Sequence, residues 1–178
     1  MKRVFFTVLV FASFMLILSE ARAFELGAGA GAYIPSSDVD KLGFPAGYSV
    51  NAHIDQDIFP LLSLRLSADY SAADFKKSGF THEFSTYGGA LLLVFTPPIP
   101  VLDLYAGVGY NGHWFEYETS APGVSAKGSD FGHGVIGQAG VGIGILIFHI
   151  GVNGQYYIAE GDFDAGGWTV GLGFGVSI

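Results

Sequence analysis

The sequence predicts an all-β protein, an eight-stranded antiparallel up-and-down transmembrane β-barrel preceded by a cleavable signal peptide. Three observations predict it. From Gly167 to Ile178 the chain alternates between large apolar residues (Trp168, Val170, Leu172, Phe174, Val176, Ile178) and Thr169, Gly171, Gly173, Gly175 and Ser177, with no charge on either face. A soluble sheet needs charge on its water face, whereas a narrow membrane barrel presents apolar groups to lipid and small groups to a crowded lumen. Half of the residues are hydrophobic, yet beyond the N-terminal stretch no apolar run approaches a helical span; in lipid, a chain without spanning helices must pair its backbone in a closed barrel. Finally, the connections between alternating segments sort into short and long in strict succession, which separates a turn end from a loop end as a membrane-spanning barrel requires.

The N-terminus supplies the route to a membrane. Lys2 and Arg3 precede an apolar stretch from Val4 to Leu18 and then Ala21-Arg22-Ala23, the pattern of a secretory signal peptide cleaved at a small-x-small site. The apolar run is too short for a spanning helix. Residues 1–23 are therefore assigned to the signal and 24–178 to one barrel domain. Removing Lys2, Arg3, Arg22 and Glu20 leaves five basic and fifteen acidic residues, a net charge of −10 that disfavours nucleic acid. Cysteine is absent, so neither disulfides nor thiolate metal sites are available.

Eight segments alternate with the period of a strand. The first, 24–34, turns Leu26, Ala28, Ala30, Ala32 and Ile34 outward and Gly27, Gly29 and Gly31 inward. The second, 47–56, has Tyr48, Val50, Ala52 and Ile54 outward against Asn51, His53 and Asp55. The third, 61–70, has Leu62, Leu64, Leu66, Ala68 and Tyr70 outward against Arg65 and Asp69. In the fourth, 83–95, Phe84, Thr86, Gly88, Ala90, Leu92 and Val94 are assigned outward and Glu83, Ser85 and Tyr87 inward, although Leu91 and Leu93 blur the faces. The fifth, 101–111, turns Leu102, Leu104, Ala106, Val108 and Tyr110 outward; the sixth, 132–145, turns Val135, Ala139, Val141, Ile143 and Ile145. The seventh, 148–159, has Phe148, Ile150, Val152 and Tyr156 outward against His149, Asn153, Gln155 and Tyr157. The terminal segment is the eighth.

Connections after the second, fourth and sixth segments are tight (Asp57 to Pro60, Thr96 to Pro100, and near Leu146-Ile147). Those after the first, third, fifth and seventh are longer and polar (Pro35 to Ala46, Ser71 to His82, Gly112 to Phe131, Glu160 to Gly167). With the long loops outside, Tyr48, Tyr70, Tyr110, Tyr156 and Trp168 share the lipid-facing register at the loop end, with Phe84 at their height. Amphipathic rings gather at that depth, so these residues are expected to form an outer aromatic girdle.

On strand number, loop asymmetry and girdle, the mature chain resembles the small eight-stranded bacterial outer-membrane proteins, the group that includes the OmpA transmembrane domain and OmpX. The resemblance implies a location in the outer membrane of a Gram-negative cell envelope and contact with its lipid and lipopolysaccharide. It also implies assembly by the barrel-assembly machinery, although the chain ends in Ile178 rather than in an aromatic residue. It does not assign a function.

The inward faces carry what chemistry there is. An eight-stranded barrel has an interior that side chains just fill, so bulky groups on one wall are expected to reach into space left by glycines on the other. Arg65 is the only basic residue on a strand face. Pairing about a turn at Ile58 to Pro60 places His53 opposite it and Asp55 diagonally beside it, within cross-strand reach. A buried guanidinium requires a carboxylate, so Arg65, Asp55 and His53 are the expected plug of the lumen or, alternatively, its gate.

Catalysis is not expected. Some eight-stranded barrels are lipid A deacylases with a His-x-Ser-Asn motif, and the nearest run here, His149-Ile150-Gly151-Val152-Asn153, lacks the serine. His82, His113 and His133 at loop ends, and the carboxylates of Glu160, Asp162 and Asp164, fall short of a metal or calcium motif, and no cofactor is expected. Two functional classes remain: a surface-interaction scaffold with a filled lumen, presenting loops to an extracellular ligand, and a small porin-like channel for ions or small solutes.

Overall fold

The computed structural model describes residues 24–36, 43–161 and 165–178. The expected signal peptide and much of the first and last loops lie outside the described residues. Eight strands follow one another: β1 (Phe24–Ser36), β2 (Gly47–Phe59), β3 (Leu62–Lys77), β4 (Phe80–Phe95), β5 (Leu102–Ala121), β6 (Val124–Ile145), β7 (Phe148–Ala159) and β8 (Ala165–Ser177). Each pairs antiparallel with the next, and β8 pairs with β1 to close the barrel. The closing seam runs from Glu25 opposite Ser177 to Ser36 opposite Gly166.

The strands outrun the expected segments at one end. Gly112 to Phe131, expected as the longest loop, is a β5–β6 hairpin joined by Pro122 and Gly123, and Ser71 to His82 is a β3–β4 hairpin turning at Ser78 and Gly79. Positive φ at Ser78 (54°), Gly79 (82°) and Gly123 (83°) marks these tight turns, with Pro122 before Gly123 as a type II turn favours. The pattern fails here for a physical reason. Beyond the lipid, water bathes the outer face, so neither face must be apolar and the period-2 signal disappears. Phe24, Ile178 and the β2–β3, β4–β5 and β6–β7 connections sit at the opposite end, here called the turn end. The other is the arm end.

Outward residues of seven strands are those the alternation assigned. They form a belt that includes Leu26, Val50, Leu66, Val108, Val141, Ile150, Val170, Leu172 and Phe174, all exposed. Such a surface is unstable in water and natural in lipid. Along β8 and the residue after it, the belt runs from Trp168 to Ile178; at 3.3 Å per residue and a tilt of roughly 40° this spans about 25 Å, the height of a membrane barrel's apolar band.

β4 is turned over relative to the sequence reading. Leu92 is opposite Arg65, and Phe84, Thr86, Ala90, Leu92 and Val94 are buried inside, while Glu83, Tyr87 and Leu93 face out. The run Leu91-Leu92-Leu93-Val94 is apolar on both faces and cannot choose between them. The choice falls to Glu83, which sits above the lipid, where a carboxylate faces water and Phe84 faces the core. One residue of register thus exchanges the whole strand's faces.

Candidate functional site

The interior is layered, and the layers are set by which strands place bulk beside glycine. At the turn end, Arg65 on β3 lies directly opposite Asp55 on β2. Its Nε donates to Asp55 Oδ1 at 2.7 Å and its Nη2 to Asp55 Oδ2 at 2.6 Å, a bidentate pair with both residues buried. Nη1 donates to Gln138 Oε1 at 2.9 Å, and the guanidinium carbon lies 4.7 Å from the centre of the Tyr105 ring. The expected diagonal is thus a direct pair, and His53 is opposite Ser67 instead. The hairpin turns at Pro60 and Leu61, with a register irregularity between Asp57 and Phe59, which moves the partner of Arg65 two residues along β2 from the pairing expected about a turn at Ile58 to Pro60.

His53 instead belongs with β1, where its Nε2 is 3.9 Å from Glu25 Oε1. Its ring lies over its cross-strand partner Gly27, where a Cβ would collide with it. Glu25 occupies the corresponding space over Gly175, Tyr105 over Gly140, and Asn51 beside Gly29. Glycine therefore houses bulk mostly from the neighbouring strand, a shorter reach than the expected filling from the far wall.

A second constellation at this end escaped the sequence reading. His149 Nε2 is 2.8 Å from Ser177 Oγ, and its Nδ1 is 3.2 Å from Asp103 Oδ2. The serine missing beside His149 in sequence comes from the adjacent strand, and only the β7–β8 register could have found it. The backbone N–H groups of Ser177 and Ile178 are taken up by Ile147 O and Phe24 O, so neither can receive an oxyanion beside this serine.

The middle layer is polar and tightly enclosed. Asp69, Ser71, Asn111 and His113 are buried, and both Asp69 oxygens and both Asn111 amide atoms lack a hydrogen bond within the protein. His113 Nδ1 is 3.2 Å from Thr86 Oγ1 and 3.6 Å from Asp69 Oδ2, and its ring stacks on Tyr157 at 4.4 Å. The space between these groups has the polar partners a buried water needs.

Buried aromatic rings stack inside the arm end. Tyr33 stacks on Phe84 at 6.2 Å and on Tyr157 at 6.5 Å, and Phe84 on Phe115 at 6.2 Å. Each of the four is at most 2% exposed. Tyr33 OH donates to Gly166 O at 3.1 Å. Phe44, from the segment before β2, covers this layer, with ring centres 5.7 Å from Phe84 and 5.0 Å from Phe75.

On the outer surface, Tyr48, Tyr70, Tyr110, Tyr156 and Trp168 face outward near the base of the arms. Tyr48 and Tyr70 are 6.0 Å apart and Tyr156 and Trp168 4.5 Å apart, while the Tyr110 hydroxyl is 2.6 Å from His133 Nδ1. Phe84, expected at the same height, is inside. Above the tyrosines Asp74, Glu83, Glu118 and Lys127 are successive cross-strand partners on β3 to β6, a row of three carboxylates ending in one ammonium. Lys127 Nζ is 2.6 Å from Glu118 Oε2, and this hydrogen bond and charge hold its pKa above the ordinary lysine value. Among the described residues the one group of three or more metal-ligating side chains with converging donor atoms is Glu25, His53 and Asp55. The loop-end histidines do not assemble.

No family model matches the sequence, and no curated protein matches it. Solved structures do share the fold. Ail, the attachment invasion locus protein of Yersinia pestis, solved in complex with the heparin analogue sucrose octasulfate, matches with a TM-score of 0.63 at 18% identity over 88% of this chain and 99% of that one. Neisserial surface protein A matches with a TM-score of 0.58 at 17% identity over 88% and 99%. A major outer-membrane protein of Thermus thermophilus matches with a TM-score of 0.56 at 14% identity over 89% and 100%. The fold is that of small bacterial outer-membrane barrels.

Proposed function

We propose that the protein is an integral outer-membrane scaffold that anchors through its apolar belt, keeps a filled lumen and works through the arms it raises above the membrane. The enclosed interior carries this reading. From the Arg65–Asp55 pair through the Asp69 layer to the Tyr33, Phe84, Phe115 and Tyr157 stack, side chains with little or no exposure occupy successive levels of the bore. Long hairpins β3–β4 and β5–β6 complement it, since strands of 16 to 22 residues exceed the roughly 9–11 needed to cross. In this reading the arm end is extracellular and the turn end periplasmic. Tyr48, Tyr70, Tyr110, Tyr156 and Trp168 form the outer girdle, and the barrel-assembly machinery inserts the chain.

The arms differ from a polyanion site. Ail is solved with a sulfated sugar, but here Asp74, Glu83, Glu116, Glu118, Asp130 and Glu160 outnumber Lys76, Lys77 and Lys127 on the arms. An extracellular ligand of this chain is therefore neutral or cationic. Opposed carboxylates in one row repel, and divalent cations shared with lipopolysaccharide phosphates would relieve that repulsion just above the girdle.

The chain has no cysteine, which makes topology directly measurable. Ser125→Cys, near the β5–β6 tip, reacts with a membrane-impermeant maleimide on intact cells, whereas Leu146→Cys reacts only after the outer membrane is permeabilised. The reverse labelling would overturn the orientation, and labelling of neither after permeabilisation would overturn the membrane assignment.

A further inference from the structure

We propose that the turn-end vestibule holds one divalent transition-metal ion, of the zinc class, through Glu25, His53 and Asp55. One donor atom from each lies within 4.8 Å of the others, a separation that an ion bonding each at roughly 2.0–2.2 Å would bring together with small side-chain rotations.

Three features set this group apart from a chance gathering of carboxylates. The ligands are housed: the His53 imidazole rests over Gly27 and the Glu25 carboxylate over Gly175, two places where any other residue would displace them. Asp55 is oriented by Arg65, whose bidentate grip leaves the outer lone pairs of the carboxylate for a cation, as a partner outside the metal's own ligands does in metalloproteins. The site also has access, because Glu25, His53, Asp55, Arg65 and Asp103 line a cavity of about 290 Å³ at the mouth of the bore.

The donor set selects the ion. An imidazole nitrogen with two carboxylates suits Zn²⁺, Ni²⁺ or Cu²⁺, while Mg²⁺ and Ca²⁺ are hard ions that take oxygen donors and gain nothing from the imidazole. Three protein ligands leave a fourth position to water, which makes the site open. The Arg65 charge stands against the ion, so binding is exchangeable and weaker than in a structural zinc site. A metal bound there would tie β1 to β2 beside the closing seam, at the periplasmic mouth if the proposed orientation holds.

The test uses the full mature barrel refolded in detergent and stripped with EDTA. Calorimetric titration with ZnCl₂ gives one equivalent per barrel, unaffected by equimolar Mg²⁺ or Ca²⁺. Co²⁺ gives ligand-field absorption that Zn²⁺ displaces. Glu25→Gln and His53→Asn each lower the affinity at least tenfold while the heat-dependent gel shift of a folded barrel persists, and His149→Asn in the same cavity changes nothing. Wild-type protein needs no substitution for a further check: Zn²⁺ protects His53 from diethyl pyrocarbonate, read by peptide mass. Absence of uptake, unchanged uptake by Glu25→Gln/His53→Asn, competition by Ca²⁺, loss on His149→Asn, or unprotected His53 would each overturn the site. None of these outcomes bears on the maleimide labelling, so the vestibule and the scaffold reading fail separately.

Discussion

Arg65→Ala removes two charge-assisted hydrogen bonds to Asp55, at 2.7 and 2.6 Å, and one to Gln138 at 2.9 Å. It leaves the Asp55 carboxylate, 7% exposed, without its counter-charge. Deleting one partner of a buried pair costs about 3–5 kcal/mol, mostly as the penalty on the orphaned charge. Asp55 borders the open vestibule, where water can approach it, so the low end of that range applies, about 3 kcal/mol, a factor of somewhat over 100 in the folding equilibrium. Asp55→Ala costs a similar amount, because Arg65 keeps only Gln138 and the Tyr105 face. The double variant has no orphan charge and suffers chiefly lost packing, so it falls about 2–3 kcal/mol short of the sum of the singles. Urea unfolding in lipid vesicles, followed by tryptophan fluorescence and gel mobility, measures all three. Additivity within about 0.5 kcal/mol, or an Arg65→Ala barrel as stable as wild type, would refute the pairing argument.

Other outcomes follow from the same structure. Gly171→Ala aims a methyl group at the Ala30 carbonyl and the Gly31 Cα across the β1–β8 seam. No side chain there can move aside, so the barrel loses at least about 2 kcal/mol or fails to close, read as loss of the heat-modifiable band. Trp114 and Trp168 are the two tryptophans; Trp114 lies four residues beyond Tyr110 on β5, about 13 Å further along the strand. Brominated acyl chains therefore quench Trp168, isolated in Trp114→Phe, and spare Trp114, isolated in Trp168→Phe; equal quenching would remove Trp168 from the girdle. Trp168→Ala also loses the Tyr156 ring contact at 4.5 Å and costs about 1 kcal/mol or more in the same urea assay. Replacing residues 116–129 by an Asn-Gly turn leaves insertion and gel shift intact, since those residues pair only within their own arm and its β4 neighbour.

The membrane part of the fold was legible because lipid imposes a rule: on β8 every outward residue is apolar and every inward one small. The rule stops at the water line. Past Tyr110 and Tyr70 both faces meet polar surroundings or aromatic packing, so strands that continue there read as loops. β4 shows the same limit from inside the membrane, where Leu91 to Val94 satisfy lipid and core equally and the choice falls to Glu83 and Phe84 above it. In the lumen, residue type announced Arg65 and Asp55, since a lone guanidinium on a membrane strand needs a carboxylate. Their direct opposition hung on whether the turn sat at Ile58 to Pro60 or at Pro60 and Leu61. Contacts between sequence-distant strands, such as Ser177 with His149 or Glu25 with His53, carry no local signal. The glycines at 27 and 175 mark where such neighbours fit without naming them.

Conductance across a planar bilayer tests the scaffold account most directly. With the filled interior proposed here, the refolded wild-type barrel gives no steady current, and Arg65→Ala, which leaves the Tyr33, Phe84, Phe115 and Tyr157 layer in place, is equally silent. Stable ohmic steps from wild type, enlarged by Arg65→Ala, would contradict it and make the Arg65–Asp55 pair the gate of a small channel.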